Sequence, residues 1–185
     1  MKRVFAIAFV FSWAISVMAI NTSHKAKELS ASALLIKKEK YFSADGKFKI
    51  MFPGEPVRTE EKVPTDVGDI TMVMFMFEKS QAEAFMVAYS DYPAEMMQGL
   101  DPYQLLDGSK NGVLSNFGAT EQNLKKFRIK SFPAISFEGK GTTFCTSYLL
   151  VLRNNRLYQA GILKSGSLPS KKDVKSFVGS FELAD

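Results

Sequence analysis

The sequence predicts an α+β domain built on a largely antiparallel sheet flanked by helices. Three observations carry this expectation. Thr142–Leu163 forms two long arms of β-branched, aromatic and aliphatic residues separated by Asn154-Asn155. Asparagine tolerates the left-handed backbone of a tight hairpin turn, so the arms read as paired strands. Upstream, residues 47–52, 70–78 and 82–89 alternate with the period of two expected of strands. Finally, two capped stretches near 101–117 and 170–181 repeat apolar residues at helical spacing.

The chain begins with a targeting pattern. Lys2-Arg3 is a short basic region, Val4–Ile15 is almost wholly apolar, and Val17-Met18-Ala19 supplies the small residues read by a signal peptidase. Residues 1–19 are therefore expected to be a signal peptide cleaved after Ala19. An uncleaved membrane anchor is the competing reading, because the apolar run is nearly long enough to span. With cleavage, no stable membrane span remains and the location is the periplasm or the extracellular space. Residues 20–40 are polar at first and read as a flexible leader. His24, the sole histidine of the chain, falls there and supplies neither a metal site nor a catalytic base to the folded part.

Residues 41–183 are expected to form the single α+β domain. Lys47–Phe52 alternates with Phe48, Ile50 and Phe52 inward, and Pro53-Gly54-Glu55-Pro56 stops it. Val57–Val63 is polar and charged, as suits an exposed edge strand, and residues 66–69 turn the chain. Ile70–Glu78 and Ala82–Tyr89 are apolar on both alternating faces, so both are expected to be covered on both sides. The methionines of the first run are core residues at strand spacing. Asp101-Pro102 opens a helix with an N-cap and a first-turn proline. Tyr103, Leu106, Lys110, Val113, Leu114 and Phe117 lie on its packed face, Gly108 and Gly112 weaken it, and Gly118 suits its end. Leu124–Ile129 interleaves Lys125, Lys126 and Arg128 with apolar residues, a pattern of edge strands guarded by charge. Phe132–Glu138 is a further short strand. The long arm after it is central, with Phe144, Tyr148 and Leu150 on one face and Cys145, Leu149 and Val151 on the other. Ser170 and Asp173 form a capping-box-like start for a C-terminal helix whose stripe is Val174, Phe177, Val178 and Phe181.

Composition narrows the function. The 185 residues suit one domain, and 46% hydrophobic content with 16 phenylalanines fills a substantial core. The formal charge is +5, of which Lys2 and Arg3 supply two, leaving +3 after cleavage. That mild excess is no nucleic-acid footprint. The single cysteine, Cys145, closes no internal disulfide and reads as a small buried hydrophobe. No Gly-rich nucleotide loop, His-x-x-x-His, cysteine pair or Gly-x-Ser-x-Gly elbow occurs. No metal site, cofactor or catalytic set is expected. A carboxylate- or serine-based site assembled from loops stays open as the alternative.

Three segments carry a family resemblance: Gly46-Lys-Phe-Lys-Ile-Met-Phe-Pro53-Gly-Glu-Pro56, Arg153-Asn-Asn-Arg-Leu-Tyr158, and Val174-Lys-Ser-Phe-Val-Gly-Ser-Phe-Glu-Leu183. With the order of elements, they resemble the superfamily of photosystem PsbP proteins, the Ran-binding protein Mog1 and bacterial DcrB-like proteins. The resemblance spans about 41–183 and implies a PsbP- and Mog1-like α/β sandwich. It carries over no shared catalytic set. The lipid-accepting cysteine of many bacterial relatives is absent.

The resulting expectation is an exported, non-enzymatic binding or accessory protein of the cell envelope, with an envelope protein as partner. The competing class is an envelope hydrolase. Two candidate recognition surfaces stand out: the bridge 92–100 with Tyr92, Met96 and Met97, and the basic strand with Lys125, Lys126 and Arg128. Methionine and aromatic side chains suit an interface centre, and charges suit its rim.

Overall fold

The computed structural model describes residues 39–65 and 68–185. Residues 1–19, read above as a signal peptide, nearly all of the expected leader 20–40 including His24, and the tip of the turn at 66–69 lie outside the described residues.

Among the described residues, ten strands form two antiparallel sheets. In chain order they are β1 (Tyr41–Ser43), β2 (Phe48–Ile50), β3 (Val57–Thr65), β4 (Gly68–Ser80), β5 (Glu83–Asp91), β6 (Thr120–Ile129), β7 (Phe132–Lys140), β8 (Phe144–Arg153), β9 (Arg156–Ser165) and β10 (Glu182–Leu183). The large sheet runs β3-β4-β5-β9-β8-β7-β6, and a small one runs β1-β2-β10. Helix α1 (Pro102–Asn116) lies between β5 and β6 in the chain, and α2 (Lys171–Ser176) follows β9.

Helix α1 packs on one face of the large sheet. The small sheet and the C-terminal segment cover the other, so the molecule is an α+β sandwich with two cores. Ile70, Met72, Met86, Leu106, Leu150 and Leu157 belong to the helix-side core. Phe48, Phe75, Val87, Val151, Ile162 and Phe177 belong to the opposite one. Period-two alternation explains the split: along β8, Tyr148, Leu150 and Leu152 face the helix while Leu149 and Val151 face the small sheet. Strand β8 is buried along nearly its whole length, as expected of a strand covered on both faces. Its hairpin with β9 closes on Asn154, whose φ is +57°. Strands β3 and β6 are the edges, and both carry the charges expected there.

Asp101 caps α1 by accepting from the Tyr103 backbone N–H at 3.0 Å. The helix runs through Gly108 and Gly112 without interruption. At its end Gly118 takes φ +54°. There the Ala119 N–H donates to the Leu114 carbonyl at 2.8 Å and the Gly118 N–H to that of Ser115 at 3.1 Å, the paired bonds of a Schellman closure.

The C-terminal helix is shorter than its apolar stripe predicts. It ends at Ser176, and Val178–Ser180 is a separate 3-10 turn. The reason lies in Ser180. Its hydroxyl donates to the Phe177 carbonyl at 2.6 Å and accepts from the Met51 N–H at 2.8 Å. That bond to the end of β2 competes with helical pairing and leads the chain into β10, which pairs with β2. Phe177 and Phe181 are both still buried. The cap at Ser170 also differs from a capping box. Its hydroxyl accepts from the Asp173 N–H at 3.1 Å and donates to the Asp173 carboxylate at 2.6 Å.

Candidate functional site

The sequence-derived candidates divide into surface and core. Tyr92 ends in the helix-side core, 1% exposed, with its hydroxyl unpaired among the described residues. Its backbone is fixed by the hairpin turn: Tyr92 N–H donates to the Asn155 carbonyl and the Asn155 amide donates to the Tyr92 carbonyl, both at 2.8 Å. Tyr92 is therefore a packing residue and offers no recognition surface. Desolvation pushes its phenol pKa well above the ordinary value. Met96 and Met97 lie in a 3-10 turn, Ala94–Met97, and pack half-buried against the helix-side core. They cover part of that core, and part of each stays at the surface.

The basic strand is β6. Lys126 forms an ion pair with Asp107 at 2.7 Å and sits 5.4 Å from the Tyr103 ring centre. Hydrogen bonding to Asp107 raises its pKa. Arg128 donates to the Ser131 carbonyl at 2.6 Å. Lys125 is exposed and without a partner among the described residues. Phe127, two residues on and so on the same side of the strand, is 38% exposed. The Tyr103 hydroxyl donates to the Phe127 carbonyl at 3.0 Å. The methionine bridge leads into the first turn of α1 and β6 is bonded to that turn, so both candidate segments border it.

Asp107 is the hub of the ion pairs beneath. Besides Lys126 it faces Lys110, 3.7 Å away, and Lys110 also pairs with Glu121. Lys110 is 7% exposed, which accounts for a lysine on the packed face of α1. Its charge is buried with partners.

A cleft between the C-terminal half of α1 and the sheet was not foreseen. Met76, Met86, Val113, Phe117 and Leu163 supply apolar walls, and Gln159 lies among them. The signal in the sequence was Gln159 itself, a lone amide within the apolar run Leu157–Leu163. Cys145 is buried on β8, with Sγ 3.7 Å from the Gly141 carbonyl oxygen. Among the described residues, no group of three or more His, Cys, Asp or Glu side chains is placed to hold a metal ion.

No family model matches the chain, and no curated protein matches it at a significant level. Solved structures do. The solution structure of cyanobacterial PsbP, CyanoP, from Synechocystis sp. PCC 6803 superposes with a TM-score of 0.53 at 13% identity, covering 83% of this chain and 97% of that one. The fold is PsbP-like. A crystal structure from Bacteroides thetaiotaomicron VPI-5482 superposes with a TM-score of 0.44 at 12% identity, covering 81% of this chain and 50% of that one. At 13% identity the PsbP likeness concerns architecture: a sheet with a helix on one face and short terminal elements on the other. Among the described residues of this PsbP-like chain, no helix is long and apolar enough to cross a membrane.

Proposed function

We propose that this chain is an exported binding or accessory protein of the cell envelope. It holds a protein partner, without catalysis, through β6 and the bridge beside the first turn of α1. The observation that carries the reading is Lys125. It is exposed on an edge strand, unpaired among the described residues, and next to the exposed ring of Phe127. An open edge offers backbone donors and acceptors for strand addition, and a free cation beside an aromatic ring favours an acidic, partly apolar partner segment. Lys126 and Arg128 are engaged within the molecule and serve to hold the edge in place. Met96 and Met97 supply an adaptable apolar border. Export follows from the basic, apolar, small-residue order of residues 1–19. The hydrolase alternative gains nothing from the cleft under α1, whose lining holds no carboxylate or serine.

Affinity capture from the native envelope tests this. Wild type is compared with Lys125→Glu/Lys126→Glu and with Met96→Ala/Met97→Ala. A specific partner retained by wild type and lost by the charge-reversed variant supports the reading. Equal capture by both double variants would remove these surfaces, and substrate turnover by the purified protein would remove the non-enzymatic role.

A further inference from the structure

The outer face of the small sheet shares no residue with the β6 surface and has a chemistry of its own. Alternation along its short strands turns Ser43, Phe48, Ile50 and Leu183 into the molecule, each at most 6% exposed. The same alternation turns Phe42, Lys49 and Glu182 outward, and the register sets these three side by side in one cross-strand row. Phe42 is 53% exposed, and the Lys49 ammonium lies 5.5 Å from its ring centre. Lys49 has no ion-pair partner among the described residues.

Further lysines ring this row. Lys40 pairs with Glu182. Past the end of β10, Lys47 donates to the Asp185 carbonyl at 3.2 Å, and Lys130 pairs with the Asp185 carboxylate at 3.3 Å. These four lysines meet two carboxylates, so the face stays positive after its internal pairs are made. Glu182 registers that field. The hydrogen bond from Lys40, and then the charges of Lys40, Lys49 and Lys130, hold its carboxyl below the ordinary value. An ammonium carries three donors, so Lys47, Lys49 and Lys130 each keep some free for an anion. The chain enters this face at Glu39-Lys40, directly after Leu34-Leu35-Ile36-Lys37-Lys38 in sequence, which again sets lysines beside apolar residues.

From this arrangement we propose that the outer face of the small sheet docks on a bilayer surface rich in anionic phospholipid. Lys47, Lys49 and Lys130 meet headgroup phosphates, and the Phe42 ring enters the boundary between headgroups and acyl chains. A purely acidic polymer would satisfy the lysines and leave Phe42 in water. A bilayer surface takes both, because its charge lies above an apolar layer. One aromatic ring and a few lysines give reversible docking, which holds the protein at the membrane without a span.

The test uses residues 20–185, which contain every residue of both cores. The sole tryptophan of the sequence, Trp13, precedes them, so Phe42→Trp supplies a single fluorescent reporter. Vesicles are made of phosphatidylcholine alone or of phosphatidylcholine with phosphatidylglycerol. The protein is expected to sediment with the anionic vesicles only, and less so as salt is raised. On those vesicles the Phe42→Trp emission shifts to the blue and is quenched by lipids brominated on the acyl chain. Lys47→Glu/Lys49→Glu weakens vesicle binding at least about tenfold, since each reversal replaces an attraction by a repulsion. Phe42→Ser also weakens it. Lys125→Glu leaves it unchanged, which separates this face from the β6 surface, and near-ultraviolet circular dichroism shows that each variant is folded. Equal binding to both vesicle types, an unshifted emission on anionic vesicles, or full binding by the lysine variant would each overturn the proposal. So would loss of binding only on replacing Leu34, Leu35 and Ile36 by serine. Polyglutamate bound as tightly as the anionic vesicles would assign the face to an acidic macromolecule instead.

Discussion

Arg156 grips Asp91 with one edge of its guanidinium: Nε and Nη2 each donate to a carboxylate oxygen at 2.6 Å. The two residues are register partners at the end of β5 and the start of β9. The remaining nitrogen, Nη1, donates to the Asp45 carbonyl at 2.7 Å, and the group lies 4.5 Å from the Tyr89 ring centre. One side chain thus ties the centre of the large sheet to the turn between β1 and β2. Arg156→Lys keeps the charge and loses the fork. Because Asp91 is half exposed, the bidentate pair is screened, and the expected loss is about 1–2 kcal/mol. Urea unfolding of the two proteins measures it; an unchanged midpoint would show the fork to be ornamental.

Phe177 is the anchor of the C-terminal segment. It is 1% exposed and its ring lies 5.0 Å from that of Phe52 and 5.2 Å from that of Phe85. Phe177→Ala removes the only side chain that links α2 to both the small-sheet region and β5 through ring contacts among the described residues. A loss of about 3–5 kcal/mol is expected. Denaturant unfolding followed by near-ultraviolet circular dichroism checks it.

Alkaline pH should unfold the protein cooperatively. Burial raises the phenol pKa of Tyr41, Tyr89, Tyr92, Tyr148 and Tyr158 above the ordinary 10.0. A raised folded pKa means the neutral phenol is favoured in the native state. The stability it contributes is complete below pH 10 and falls as pH rises beyond it. Absorbance at 295 nm should therefore rise together with loss of tertiary circular dichroism above about pH 10. Full phenol ionisation with the fold intact would contradict the burial described for these rings.

Export has a direct readout. The mature chain is expected to begin at Ile20 and to appear outside the cytoplasm. N-terminal sequencing of the protein recovered from the envelope or medium checks it. Retention of residues 1–19 in a membrane fraction would establish the anchor reading instead.

Local chemistry made much of this fold legible in the amino-acid sequence. Alternation in 70–78 and 144–153 assigns side chains to faces without knowledge of what covers them, because the strand period is two whatever the neighbours. Asn154, Asp101 and Gly118 act on backbone groups within a few residues, so the hairpin, the helix cap and its closure follow from the chain itself. The same holds for the charges that mark β3 and β6 as edges. Other features depend on partners far away in sequence. Strands β1 and β10 are two or three residues long, too short to show a period, and exist because β2 pairs with both. The C-terminal helix stops early because Ser180 meets Met51 across 129 positions. Tyr92 reads as a surface aromatic beside Pro93, yet its ring enters the core beneath α1 while the β8–β9 turn holds its backbone. Gln159 could be seen as a polar residue in an apolar strand. Only the crossing of α1 over the sheet decided that its amide would face an apolar cleft, since burial belongs to the packing of elements and to no single segment.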